Sequence, residues 1–118
     1  MGNKVGNEKV AVIIDRFGMG NAELELSHIL LKNYLTLTIS ENRIPAYICL
    51  YGDGVKVACK DSGFTEELSK LESMGCKIVI CKTCLSYNNL LEKVSVGSVG
   101  TMLDIIDIQY NSTKLIKL

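Results

Sequence analysis

The chain has 118 residues, which suits one compact domain, and its hydrophobic fraction of 47% is enough to supply a core. Thirteen basic residues balance thirteen acidic ones, so there is no basic field to attract phosphate backbones and nucleic acid is not an expected partner. No apolar stretch reaches the ~20 residues needed to cross a bilayer, so no membrane association is expected. The polar start MGNKVGNE lacks the apolar core of a signal peptide. Residues 1–8 read as a flexible tail, and 9–118 as a single domain.

In chain order, the run from Lys9 to Asp15 is apolar, rich in Val and Ile, and of strand length, as for a strand covered on both faces. The glycines of RFGMG make a turn. Asn21 is the expected cap of a helix from Ala22 to about Glu41, with Glu23 and Glu25 at its positive end. Two apolar rows run along this helix: Leu24, Leu31 and Leu35, then Leu26, Leu30 and Leu37. A surface helix needs one such stripe, so the second predicts a partner subunit. Pro45 opens a second strand, PAYICLY, which ends at Gly52-Asp53-Gly54. A short helical turn is expected over Val55 to Cys59. Ser62 is the expected cap of a helix marked by Phe64, Leu68 and Leu71 and ended by Gly75.

CKIVIC, from Cys76 to Cys81, reads as the third strand. A loop with a short helix follows over KTCLSYNNLLEK, and Cys84 is expected to open that helix. Val94 to Val96 is a weak fourth strand, Thr101 to Gln109 a helix, and KLIKL the last strand. This alternation predicts an α/β fold with a parallel sheet and helices on both faces.

Ligands of open parallel sheets sit outside the carboxyl ends of the strands. Those ends carry Asp15 to Gly20, Gly52 to Gly54 and Cys81 to Cys84, so three loops converge on one rim. Of the five cysteines, Cys49, Cys59 and Cys76 read as structural, and the odd count does not suit a secreted disulfide framework. A reducing, cytoplasmic setting is therefore expected. Cys81-Lys82-Thr83-Cys84 is the candidate reactive motif. A helix N-terminus and the Lys82 charge both favour a thiolate, and either sulfur could then carry a persulfide that its neighbour resolves. One CxxC with a distant single His28 is poor in metal ligands, so no metal is expected. Gly18 and Gly20 could present backbone N–H groups to an anion, and Asp15 and Asp53 are candidate acids or turn caps.

These motifs together resemble the DsrE/DsrF-like sulfur-relay family, and within it the C-terminal domain of YedF-type sulfurtransferase-like selenium-metabolism proteins. The resemblance rests on FGMGNAELELSHILLKNYLTLTISE, GDGVKVACKDSG, LSKLESMGCKIVICKTCL and KVSVGSVGTMLDII, in that order. These stretches follow the family's GxG turn before a long helix, its xxGVxxA after a strand, its CxTCL and its VGxxxxM. Lys82 and Ser27 stand where the family commonly has glycine, and Gly52-Asp53-Gly54 where it has NSG.

The resemblance implies a three-layer α/β/α sandwich with a central, mostly parallel sheet of about five strands. It implies a homo-oligomer that takes sulfur, or selenium in its place, from a donor protein and hands it to an acceptor protein without a cofactor. It matches the carrier position to Cys81, with Cys84 beside it; the loops carrying Gly18, Gly20, Gly52, Asp53 and Gly54, with Lys82 and Thr83, are expected to shape a ligand pocket over these thiols. The alternative is a non-catalytic module of the same fold that binds a small anion or a partner. A third reading, a thiol–disulfide oxidoreductase, would need a reversible Cys81–Cys84 bond.

Overall fold

The computed structural model describes residues 8–118. The tail expected over 1–8 lies outside the described residues except for Glu8, which is exposed. Five parallel strands are present: β1 (Val10–Ile14), β2 (Tyr47–Leu50), β3 (Lys77–Cys81), β4 (Ser98–Gly100) and β5 (Lys114–Lys117). They lie side by side in the order β4-β3-β2-β1-β5. The helices are α1 (Leu24–Ser40), α2 (Thr65–Ser73), α3 (Lys82–Tyr87) and α4 (Met102–Asn111), with short 3-10 turns over Gly52–Ala58 and Leu91–Lys93. Each step from β1 to β4 moves one place across the sheet, and the last returns past β1 to the far edge. Right-handed crossovers therefore lay α1, α2 and α3 over one face and α4 over the other.

The central strands are the apolar runs. Val12, Ile13, Ile14, Ile48, Cys49, Leu50, Ile78 and Ile80 are all buried, as in strands covered on both faces. Leu31 and Leu35 of α1, Leu68 and Leu71 of α2, and Ile105 of α4 pack on them. Lys32 ties α1 to α2, pairing with Glu67 at 3.0 Å and lying over the Phe64 ring. Gly75, at φ +103°, ends α2 as expected. Thr101 and Asp104 cap the start of α4 with a capping box.

Four local expectations change. The fourth strand is Ser98–Gly100, not Val94 to Val96. Val94 makes only an isolated antiparallel bridge to Cys59, and Val96 is buried in the lead-in. The edge strand is short and exposed at Ser98 and Val99, so its sequence carries little apolar signal. Gly97 sets the shift, because a Cβ there would lie 2.9 Å from the Ile80 side chain. Helix α1 starts at Leu24 with Glu23 as its cap residue, not Asn21. The Ala22 N–H donates to the Gly20 carbonyl at 3.1 Å, which holds the chain in a turn past Asn21. Ser62 anchors the turn before α2 rather than capping it: its hydroxyl donates to Val57 and accepts from the Phe64 N–H. Helix α3 follows β3 with no loop, because Cys81 is both the last strand residue and the helix cap.

The turn after β2 is seated by one close approach. A Cβ on Gly54 would lie 2.0 Å from the Ile14 carbonyl oxygen, so only glycine fits. Gly54→Ala is expected to destabilise the fold by about 3 kcal/mol or more. Urea unfolding would show this as a lowered midpoint with an unchanged slope. Ser69→Ala on the exposed face of α2 serves as the control, expected within about 0.5 kcal/mol of the parent.

Candidate functional site at the carboxyl rim of the sheet

The parallel strands bring the ends of β1, β2 and β3 to one rim. Tyr51 N–H donates to the Ile14 carbonyl at 3.2 Å, which continues the ladder beyond β2. The chain then turns at Gly52–Gly54 across the end of β1 and faces α3. There the Gly52 N–H points at the Cys84 sulfur, 3.1 Å away. Gly52, Asp53, Gly54, Cys81 and Cys84 are thus brought together from two segments far apart in sequence.

The two cysteines of the motif differ in access. Cys81 is 1% exposed and part of the core. Cys84, the third residue of α3, is half-buried at the edge of that core. Cys81 caps α3 and Cys84 follows one helical turn later, so the two side chains are neighbours. Lys82 and Thr83, between them in sequence, are exposed. The surroundings of Cys84 work against ionisation, opposite to what its place in the sequence suggests. Loss of water contact raises its pKa first, and the neighbouring Cys81 thiol and the negative charge of Asp53 raise it further. The Gly52 N–H is the opposing influence. Asp53 is itself paired with Lys56 at 3.4 Å.

Gly18 and Gly20 belong to a different neighbourhood. Their loop is bound to α1: Met19 N–H donates to the Ser27 carbonyl, and the Ser27 hydroxyl donates to the Met19 carbonyl at 3.0 Å. Among the described residues no hydrogen bond joins this loop to the cysteines. The loop also packs Phe17 on His28, which lies in an aromatic cluster with Phe64. Asp15, at the end of β1, pairs with Lys117 of β5 at 3.1 Å and lies beside Arg16. Sequence reasoning missed Lys117, because nothing local to KLIKL places β5 next to β1. It also missed the Gly52 N–H as a donor to sulfur, a backbone role that residue type does not announce.

The other thiols are enclosed. Burial pushes Cys49 up to about 11 and Cys76 up to about 12, and raises Cys59. Among the described residues no three His, Cys, Asp or Glu side chains gather as a metal-binding group. No helix there is long and apolar enough to cross a membrane.

The chain shares its fold with several solved structures. It superposes on the ychN protein of E. coli with a TM-score of 0.70 at 17% identity, over 94% of this chain and 99% of that one. It superposes on MTH1491 of Methanobacterium thermoautotrophicum, described as of unknown function, with a TM-score of 0.71 at 18% identity, over 95% and 100%. BT1422 of Bacteroides thetaiotaomicron, also described as of unknown function, gives 0.66 at 16% identity, over 93% and 95%. The sequence matches no protein-family profile and no curated protein. At these identities the likeness establishes the architecture alone.

With iodoacetamide under native conditions, Cys84 is expected to be alkylated while Cys49 and Cys76 react only on unfolding. The rate at Cys84 should rise with pH to a midpoint above the ordinary thiol value of 9.0. Asp53 disfavours the thiolate, so Asp53→Asn should move that midpoint to lower pH. Peptide mapping across a pH series measures both.

Proposed function

We propose that this chain is a DsrE-like sulfur-relay protein of the YedF type, carrying a persulfide on a cysteine of the CxxC loop and passing it to a partner thiol. The observation that supports this most is the pair of neighbouring thiols at the rim of a parallel sheet, one of them partly open to solvent and held by a backbone N–H. Loops at the carboxyl ends of such sheets are where this architecture builds its sites.

The chemistry needs no cofactor. A cysteine thiolate attacks the outer sulfur of a donor persulfide. A new S–S bond forms on this chain, the donor's own S–S bond breaks, and the donor leaves as a thiol. An acceptor thiolate then attacks the outer sulfur, and this chain's cysteine leaves as the thiolate. Selenium would follow the same path. Donor and acceptor are proteins that present cysteines to the rim, and the cytoplasm is the reducing compartment where free thiols persist. Incubation with a sulfane-sulfur donor should add one sulfur atom to the intact mass, and a thiol reductant should remove it. No added sulfur in either the parent protein or Cys81→Ala would overturn the relay.

The protein acts, in this reading, as a homo-oligomer. Leu26, Ile29 and Leu37 of α1 and Leu103, Ile106 and Tyr110 of α4 are exposed, the α1 residues between 49 and 59%. Apolar faces of this kind mark protein contacts. Light scattering should give a mass above one chain, and the variants L26E and L103E should each lower it. A monomer at every concentration would remove this part of the proposal.

A further inference from the structure

We infer that Cys84, and not the Cys81 position favoured by resemblance, is the thiol that takes the sulfur, while Cys81 is an internal thiol placed to expel it. This rests on the relay reading and assigns the roles within it. A donor persulfide on another protein must reach the attacking sulfur along the axis of its own S–S bond. Cys81 is 1% exposed, capping α3 from within the core, and offers no such approach. Cys84 sits one helical turn further on and is partly open. The Gly52 N–H already points at its sulfur at 3.1 Å, where it would hold the anion formed each time a sulfur leaves. Among the described residues no backbone N–H donates to the Cys81 sulfur as Gly52 does to that of Cys84.

The neighbouring positions of the two thiols, at the cap and the third residue of α3, give Cys81 a defined step. Once Cys84 carries an outer sulfur, the Cys81 thiolate can attack the inner sulfur of Cys84. The Cys81–Cys84 bond forms, the bond to the outer sulfur breaks, and that sulfur leaves as hydrosulfide. Two thiols are oxidised to a disulfide and one sulfane sulfur is reduced to sulfide, with no added oxidant. Cys81 thus limits how long the loaded protein keeps its cargo when no acceptor arrives. A second turnover would require an external thiol to reduce the pair.

The test uses the full chain, with Cys84→Ala, Cys81→Ala and Cys81→Ser, after far-UV spectra confirm that each is folded. Inorganic polysulfide is the probe. After its removal, native alkylation, peptide mapping and a sulfide assay follow the added sulfur. The expected result is sulfur on Cys84 in the parent and in both Cys81 variants, and none in Cys84→Ala. The parent should then release sulfide and gain the Cys81–Cys84 disulfide. Release should slow by roughly 100-fold in the Cys81 variants, because the intramolecular nucleophile is gone. Sulfur mapped to Cys81 in the parent, or loading of Cys84→Ala at the parental rate, would overturn the assignment while leaving the relay standing. Sulfide release from Cys81→Ala at the parental rate would overturn the role given to Cys81. No sulfur on any form would overturn the relay, and the assignment with it.

Discussion

The turn after β2 lies so close to the end of β1 that a single methyl group at Gly54 would collide with the Ile14 carbonyl. This contact positions the whole rim. It seats the 3-10 turn over Gly52–Ala58 against the sheet, with Val55, Val57 and Ala58 buried beneath it. It also leaves the Gly52 N–H directed outward at α3 rather than into a strand ladder. A backbone donor freed from secondary structure must find another partner, and here that partner is a sulfur 32 positions away in sequence.

The same packing grades the five thiols. Cys49 in β2 and Cys76 just before β3 are both buried and are held as neutral groups by loss of water contact. Cys59 is buried and bonds the Val55 carbonyl. Only at the β3–α3 junction does a thiol meet both the core and the solvent. The abrupt passage from strand to helix at Cys81 is what produces this. It turns Cys81 inward and sets Cys84 one helical turn away at the edge of the core. Burial raises the energy of a thiolate at Cys84 while the Gly52 amide lowers it, so the site holds a thiol that can still ionise in contact with a suitable partner.

Outside the rim, the molecule is asymmetric in what it covers. The sheet core is closed by Leu31, Leu35, Leu68, Leu71 and Ile105, yet α1 and α4 each carry a second apolar row turned away from it. The β5 edge is guarded differently, with Lys114 and Lys117 exposed on an edge strand, a common defence against unwanted strand pairing. Lys117 also reaches across to Asp15, so this defence doubles as a cross-strand ion pair at the end of β1. Ser27, the one buried polar side chain among the described residues, is satisfied by the Met19 carbonyl and so ties the first rim loop to α1.

Much of the architecture was legible in the residues alone. The three central strands are near-continuous apolar runs because both of their faces are covered, α1 and α2 announce themselves by spacing, and the end of α2 by the Gly75 stop. The edge was not legible. Ser98–Gly100 is exposed and short, while the more apolar Val94 and Val96 serve as packing in the segment before it, so hydrophobicity pointed to the wrong three residues. The CxxC was visible as a motif, and its place at the rim followed from alternation and strand direction. Which sulfur is open, what Gly52 does and where Lys117 reaches were decided only in three dimensions. Periodicity is a property of neighbouring residues along the chain. Burial, strand order and the aim of a backbone N–H depend on residues tens of positions away that the fold alone brings into contact.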